Sequence, residues 1–257
     1  MPDKLVTRGL VLRATETKEA DYILTVLTAE HGRLAVIARG ARRRTSKLAA
    51  ACQHLAFSER VLSRRGSWYY LDEASTIALF DGLRADLEKL SLASYFAEMA
   101  EAVTSEDLPS GEVLSLLLNS LYALDTLDRP NEMVRAAFEL RLLALSGYEP
   151  LLDDCAMCGR ADPVEPVFDA AQGVVLCKKC AGPAGGLPLD AGGPALQKPR
   201  RIAALRHIVG APSKRLLSFT LEPASLARLS VVCETFAAVQ LDRRFKTLDF
   251  YKSIKLT

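Results

Sequence analysis

Leu5-Val-Thr-Arg-Gly-Leu-Val-Leu-Arg13, Tyr22-Ile-Leu-Thr-Val-Leu-Thr28 and Arg33-Leu-Ala-Val-Ile37 are three consecutive apolar, β-branched runs near the start of a 257-residue chain. Ala29-Glu-His-Gly32 supplies a turn between the second and third. Two further runs, Leu55–Leu62 and Trp68–Leu71, flank Ser63-Arg-Arg-Gly-Ser67. Short apolar runs bounded by polar and glycine-containing turns are the pattern of β-strands. Five of them in so short a span suit a small closed or partly open barrel of the OB-fold type, with a plain five-stranded sheet as the alternative.

From Asp81 the period changes from strand-like to helical. The pattern predicts a helix from Asp81, a candidate cap, to about Val103, a second from Glu112 to about Leu127, and a third from Asn131 to Ser146. Leu108-Pro-Ser-Gly111 separates the first two, and Gly147 and Pro150 stop the third. Residues 151–183 lack periodicity and contain four of the six cysteines. A Gly/Pro-rich linker, Ala181–Pro194, precedes two more helical stretches, Lys198–Val209 and Pro223–Leu241, which are expected to complete the bundle begun at residue 81. The expected architecture is therefore α+β. Residues 1–80 form an OB-fold barrel, 81–150 the first part of a helical domain, 151–185 an inserted four-cysteine zinc-binding motif, and 186–257 the C-terminal helical part.

Composition agrees with an ordinary globular protein, at 49% hydrophobic and 25% charged residues. Collagen-like, disordered and coiled-coil classes are excluded. No run of about 18 apolar residues is available to span a membrane, and Met1–Arg8 lacks the apolar core of a signal peptide, so a cytoplasmic location is expected. The net charge of +2 conceals segregation into three blocks: +7 over residues 1–70, −12 over 71–154 and +7 over 155–257. The outer two are candidates for contact with a polyanion.

Cys155-Ala-Met-Cys158 and Cys177-Lys-Lys-Cys180 carry the most specific chemistry in the sequence. Two residues between paired thiolates let both sulfurs face one ion, and Gly159 and Gly182 can take the left-handed backbone such knuckles require. Four thiolates close a tetrahedral shell, so the expectation is one structural Zn²⁺ per chain with no open catalytic position. A single redox pair would not need the duplicate, and Cys52 and Cys233 are expected to be inert buried thiols.

A second signal is Arg39-Gly-Ala-Arg-Arg-Arg-Thr-Ser-Lys47. Between residues 33 and 65 there are nine basic side chains, Arg60 among them, against one acidic, Glu59. Arg33, Arg39, Arg42, Arg43, Arg44 and Lys47, with Arg64 and Arg65 on the next loop, are candidates to neutralise nucleic-acid phosphates. Phe57, Trp68, Tyr69 and Tyr70 lie on the adjoining runs and offer stacking surface, although an aromatic residue on a strand more often belongs to the core. No phosphate-cradling glycine loop, His-Glu-x-x-His site or nucleophile elbow occurs, and the three histidines, His31, His54 and His207, have no catalytic setting. A binding protein is expected, not an enzyme.

Taken in order, several segments together resemble the RecO family of bacterial recombination mediators. They are Arg8-Gly-Leu-Val-Leu12, Asp21-Tyr-Ile-Leu24, His31-Gly-Arg33, Arg39-Gly-Ala-Arg-Arg43, Phe138-Glu-Leu-Arg-Leu-Leu143, Gly147-Tyr-Glu-Pro150, the paired cysteines and Phe250-Tyr-Lys-Ser-Ile254. The resemblance implies an OB-fold, a helical domain and a zinc insertion in a cytoplasmic, nucleoid-associated protein. It implies binding of single- and double-stranded DNA, annealing of complementary strands, and a complex with RecR that helps RecA displace single-strand-binding protein (SSB). It also implies binding of SSB's acidic C-terminal tail, for which Arg135 and Arg141 stand out on the acidic helices; the bland reading of both is a structural ion pair. The other functional readings are an OB-fold and zinc-ribbon module acting on RNA, and a nuclease whose scattered carboxylates bind Mg²⁺.

Overall fold

In the N-terminal region five strands rich in buried apolar side chains close on themselves. These are β1 (Lys4–Thr17), β2 (Asp21–Thr28), β3 (Arg33–Ala38), β4 (Phe57–Arg65) and β5 (Trp68–Ala78). The computed structural model describes residues 4–161, 163, 165–182, 185–189 and 200–255. The strand order is β1-β2-β3-β5-β4, with β4 pairing back to β1 to form a closed OB-like barrel. All pairings are antiparallel except β3 with β5, where Val36 faces Tyr69 and Ile37 faces Tyr70. Val11, Leu24, Val26, Leu34, Val36, Ala38, Leu62 and Leu71 fill the interior.

Two strands outrun the apolar stretches that announce them, β1 by continuing to Thr17 and β5 to Ala78. Their extra residues are largely exposed but keep their pairing with β2 and β4, so the ladder persists where the hydrophobic signal fades. Leu55 and Ala56 lie outside β4: Leu55 has φ +64° and donates its N–H to Val11 O at 2.9 Å. Gly9 is required by close approach, since a Cβ there would meet Val26 Cγ1 at 2.6 Å and Leu27 O at 2.8 Å.

The predicted helix from Asp81 is two helices, α1 (Asp81–Arg84) and α2 (Leu87–Val103). The break has a local cause. Asp86 is extended and accepts the Lys89 N–H at 3.1 Å, so Asp86, not Asp81, is the side-chain cap. α3 (Gly111–Thr126) and α4 (Asn131–Leu145) follow close to their expected bounds. Beyond them come β6 (Val167–Asp169), β7 (Val174–Leu176), α5 (Lys178–Ala181), β8 (Leu187–Pro188), α6 (Arg200–Gly210), α7 (Pro223–Gln240) and α8 (Lys246–Lys255). The expected start of α6 at Lys198 lies outside the described residues.

Contacts divide the chain into two compact units, Met1–Leu127 with Phe245–Thr257, and Asp128–Arg244. In the first, α8 lies along α2: Thr247 Oγ1 donates to Glu98 at 2.5 Å, Tyr251 OH to Glu88 at 3.4 Å, and Phe245 packs edge-on to Tyr95 at 5.5 Å. In the second, α4 packs on α7, and Phe168 of the β7-β6-β8 sheet meets Phe236 of α7 at 5.2 Å.

In the first unit, His54 touches Ser94 of α2 at 3.2 Å, and burial, reinforced by the charge of Arg84, lowers its pKa to about 4. The folded pKa is below the unfolded value near 6.5, so the neutral ring stabilises fully above pH 6.5 and that contribution is lost as pH falls towards 4. His54→Gln is expected to flatten the loss of stability between pH 6.5 and 4 by up to about 3 kcal/mol, read as urea midpoints against pH. An unchanged profile would show that His54 does not report folding.

Candidate nucleic-acid interface and metal centre

Barrel closure makes neighbours of two loops far apart in sequence. The parallel β3–β5 pairing sets the loop that leaves β3, carrying Arg39 to Lys47, beside the β4–β5 hairpin, carrying Arg64 and Arg65. Tyr70 marks the meeting point: the guanidinium of Arg39 lies 4.6 Å from its ring centre and that of Arg65 lies 5.2 Å away. Arg64 sits 5.8 Å from the ring of Tyr69, and Arg42 5.9 Å from that of Tyr22. Held against ring faces, these guanidinium groups remain exposed, which leaves them available to phosphate oxygens.

The basic loop is tied at its base. Gly40, at φ +63°, donates its N–H to Asp21 Oδ1 at 2.7 Å, and Arg42 donates its N–H to Ala20 O at 3.0 Å. Arg39, Arg43, Arg44, Lys47, Arg64 and Arg65 are exposed. Arg42 is exposed too, but pairs with Glu16 at 2.5 Å and reaches Glu19 O. Arg33 stands apart. It is half-buried, 3.9 Å from Glu101 of α2, and its Nε is buried. Arg60, counted in the local basic density, is fully buried and serves the barrel interior. Of the strand aromatics, Tyr69 packs against the core, whereas Trp68 at the hairpin tip is 40% exposed.

The second unit holds the four paired cysteines on two knuckles. Cys155 opens the first, where Gly159 at φ +67° returns its N–H to Cys155 O at 2.8 Å. Cys177 follows β7 and immediately precedes α5, which carries Cys180. All four sulfurs lie within 4.8 Å of one another, with Cys158 to Cys177 at 3.7 Å and Cys177 to Cys180 at 3.2 Å. A tetrahedral ion with metal–sulfur bonds of about 2.3 Å needs sulfurs about 3.8 Å apart, so this cluster can hold a metal ion.

Burial works against ionisation of Cys155, but backbone N–H groups, Cys177 N–H at 3.3 Å among them, outweigh it and bring the thiol to about 6. Hydrogen bonding with Cys177, then Cys158, pushes Cys180 up to about 12. A metal ion bound by thiolates displaces the protons that its ligands still carry, so binding here is coupled to proton release.

Arg135 and Arg141 turn inward. Arg135 is buried, donating to Glu139 at 3.2 Å, Glu234 at 2.7 Å and Ser230 at 2.6 Å, so it joins α4 to α7. Arg141 donates to Val209 O at the end of α6. An apolar cleft of about 380 Å³ occurs elsewhere in this unit, lined by Leu187, Pro188, Ala227, Arg228, Val231 and Val232. The sequence pattern missed it because one wall is the two-residue β8.

Removing two ligands at once tests the metal centre. Wild-type protein is expected to carry about one ion per chain by elemental analysis, and Cys155→Ser/Cys158→Ser almost none. Chelation of the wild type should expose the four knuckle thiols to a thiol reagent while the buried Cys52 and Cys233 stay protected. Equal metal content in both proteins would eliminate the site.

The comparisons with known proteins agree along nearly the whole chain. The family described as Recombination protein O N terminal matches residues 1–80, and Recombination protein O C terminal matches residues 84–249. A protein of Acetivibrio thermocellus named DNA repair protein RecO is 32% identical over 251 residues, covering 97% of each chain. Its namesake in Desulforudis audaxviator is 34% identical over 255 residues, covering 98% of this chain and 97% of its own. Another in Anaeromyxobacter dehalogenans is 38% identical over 221 residues, covering 83% and 87%. With a closed barrel, helices and a four-cysteine cluster in the order the segments foretold, the chain belongs to the RecO family of DNA repair proteins.

Proposed function

We propose that this protein binds single- and double-stranded DNA on the barrel surface around Tyr70, anneals complementary strands and, together with RecR, promotes loading of RecA onto SSB-coated single strands. The observation that carries the reading is the convergence of Arg39 and Arg65, from two loops, on one ring, with Arg43, Arg44, Lys47 and Arg64 exposed on the same two loops. Annealing requires two polyanions to approach. A surface that neutralises phosphates lowers their repulsion without reading sequence, and it needs no catalytic group. The cysteine cluster is assigned to structural zinc, because four soft thiolates in a closed tetrahedron suit that ion and leave no place for substrate.

The test separates the exposed arginines from the paired one. Arg43→Ala/Arg44→Ala is expected to slow annealing of complementary oligonucleotides and to reduce the salt slope of single-strand binding by about 1.4, two charges at about 0.7 each. Arg33→Ala, which removes a charge already facing Glu101, is expected to leave that slope unchanged. Wild-type slope and annealing in the double variant would remove the barrel loop from the interface. Stronger binding to RNA of matched sequence, without annealing, would replace this reading with an RNA-binding module.

For the SSB tail we place the site in the Leu187–Val232 cleft, where Arg228 borders apolar walls. A peptide that presents carboxylates and an aromatic end needs a cation beside such a groove. Arg228→Glu is expected to weaken a labelled acidic tail peptide at least tenfold, with Arg228→Lys near wild type. Unaltered affinity in Arg228→Glu would exclude the cleft.

A further inference from the structure

Trp68 is the one tryptophan of the chain, and it stands at the tip of the β4–β5 hairpin with 40% of its surface exposed. It faces Arg65 across the ladder and follows Gly66-Ser67 directly. Its aromatic neighbours are already engaged. Tyr70 lies under Arg39 and Arg65, Tyr69 packs on the barrel core near Arg64, and Tyr22 faces Arg42. Among the described residues, no ring or cation contacts the indole and no hydrogen bond satisfies it. An uncommitted aromatic face thus borders a cluster of exposed guanidinium groups.

We propose that Trp68 is a base-stacking site that makes the barrel surface prefer unpaired over paired DNA. The inference rests on the barrel being the DNA interface and adds what that reading lacks. Arginines reach the phosphates of any strand, paired or not, and cannot tell them apart. An indole beside those arginines takes a base only where the base is unstacked, because the rings of a duplex are occupied by their neighbours. The flanking Arg64 and Arg65 engage the phosphates on either side of that base. Stacking is tolerant of base identity, as a protein acting on arbitrary sequence requires.

Because Trp68 is alone of its kind, its emission reports the site directly. Full-length protein is titrated with oligothymidine and with a hairpin duplex while the anisotropy of end-labelled DNA follows binding independently. Oligothymidine is expected to quench the tryptophan in parallel with the anisotropy change, and the duplex to bind with little quenching. Trp68→Ala is expected to lose about tenfold in affinity for oligothymidine with an unchanged salt slope, since no charge is removed, and to bind duplex as before. Trp68→Phe should recover part of the loss. Binding of oligothymidine without quenching, or wild-type affinity in Trp68→Ala, would overturn the stacking site and leave the DNA interface standing. Absence of anisotropy change with either DNA would overturn both.

Discussion

The barrel depends on a charge placed where charges rarely go. Arg60 of β4 is fully buried, and among the described residues no carboxylate stands beside it. Its guanidinium donates instead to carbonyls: Gly9 O, Ser58 O at 3.0 Å, Ala51 O at 2.9 Å and Ala56 O at 3.3 Å. Burial lowers its pKa to about 10, so it stays protonated at neutral pH and its desolvation must be offset by those oxygens. The four carbonyls come from β1, β4 and the segment between β3 and β4, which includes the short turn Ala50–Cys52. One side chain therefore fixes the return path of the segment that begins as the basic loop. With Gly40 and Arg42 held at the other end by Asp21 and Ala20, the loop spans two anchored points and shows its arginines outward.

The middle acidic block takes part in the same arrangement. Segregated charge in the sequence implies regions with separate partners, yet α2 directs Glu101 at the barrel, 2.5 Å from Arg13 and 3.9 Å from Arg33. Acidic side chains thus neutralise one flank of the barrel, and the basic character is concentrated where β3 meets β5. In the second unit the same economy applies: Arg135 is consumed by Glu139 and Glu234. The arginines that matter for a polyanion are those left without carboxylates, and only the folded chain distinguishes them.

That distinction marks the boundary of what the sequence makes legible. The barrel strands and the cysteine knuckles are legible because their signals are local: short apolar, β-branched runs bounded by turns, and a fixed spacing suited to one ion. The exposed members of the basic loop follow from local charge density. Arg33, Arg60 and Arg135 do not, since their roles are set by Glu101, by carbonyls of Gly9 and Ala51, and by Glu234, none of which a local pattern can pair with them. α8 escapes notice for a related reason: it buries only Leu248 and Tyr251, too few to establish a helical period. Its docking on α2 rests on Glu98 and Glu88, again far along the chain. The break between α1 and α2 turns on the Asp86 side chain capping backbone, which apolar periodicity does not register.

On the proposed reading, annealing imposes opposing demands on the barrel surface, and the ring-backed arginines reconcile them. Strands must be neutralised enough to meet, but released once paired, so many modest contacts serve better than a few tight ones. A guanidinium in free solution gives up side-chain entropy and water each time it engages a phosphate. One resting on tyrosine has already surrendered part of both, so each contact forms at lower cost without becoming individually strong. Tyr70 serves two such groups from different loops, which couples their positions across the β3–β5 seam. The fold's contribution to the proposed function is then a display: closure of the barrel aligns the cations, Arg60 secures the loop behind them, and acidic residues remove competing charge from the remaining face.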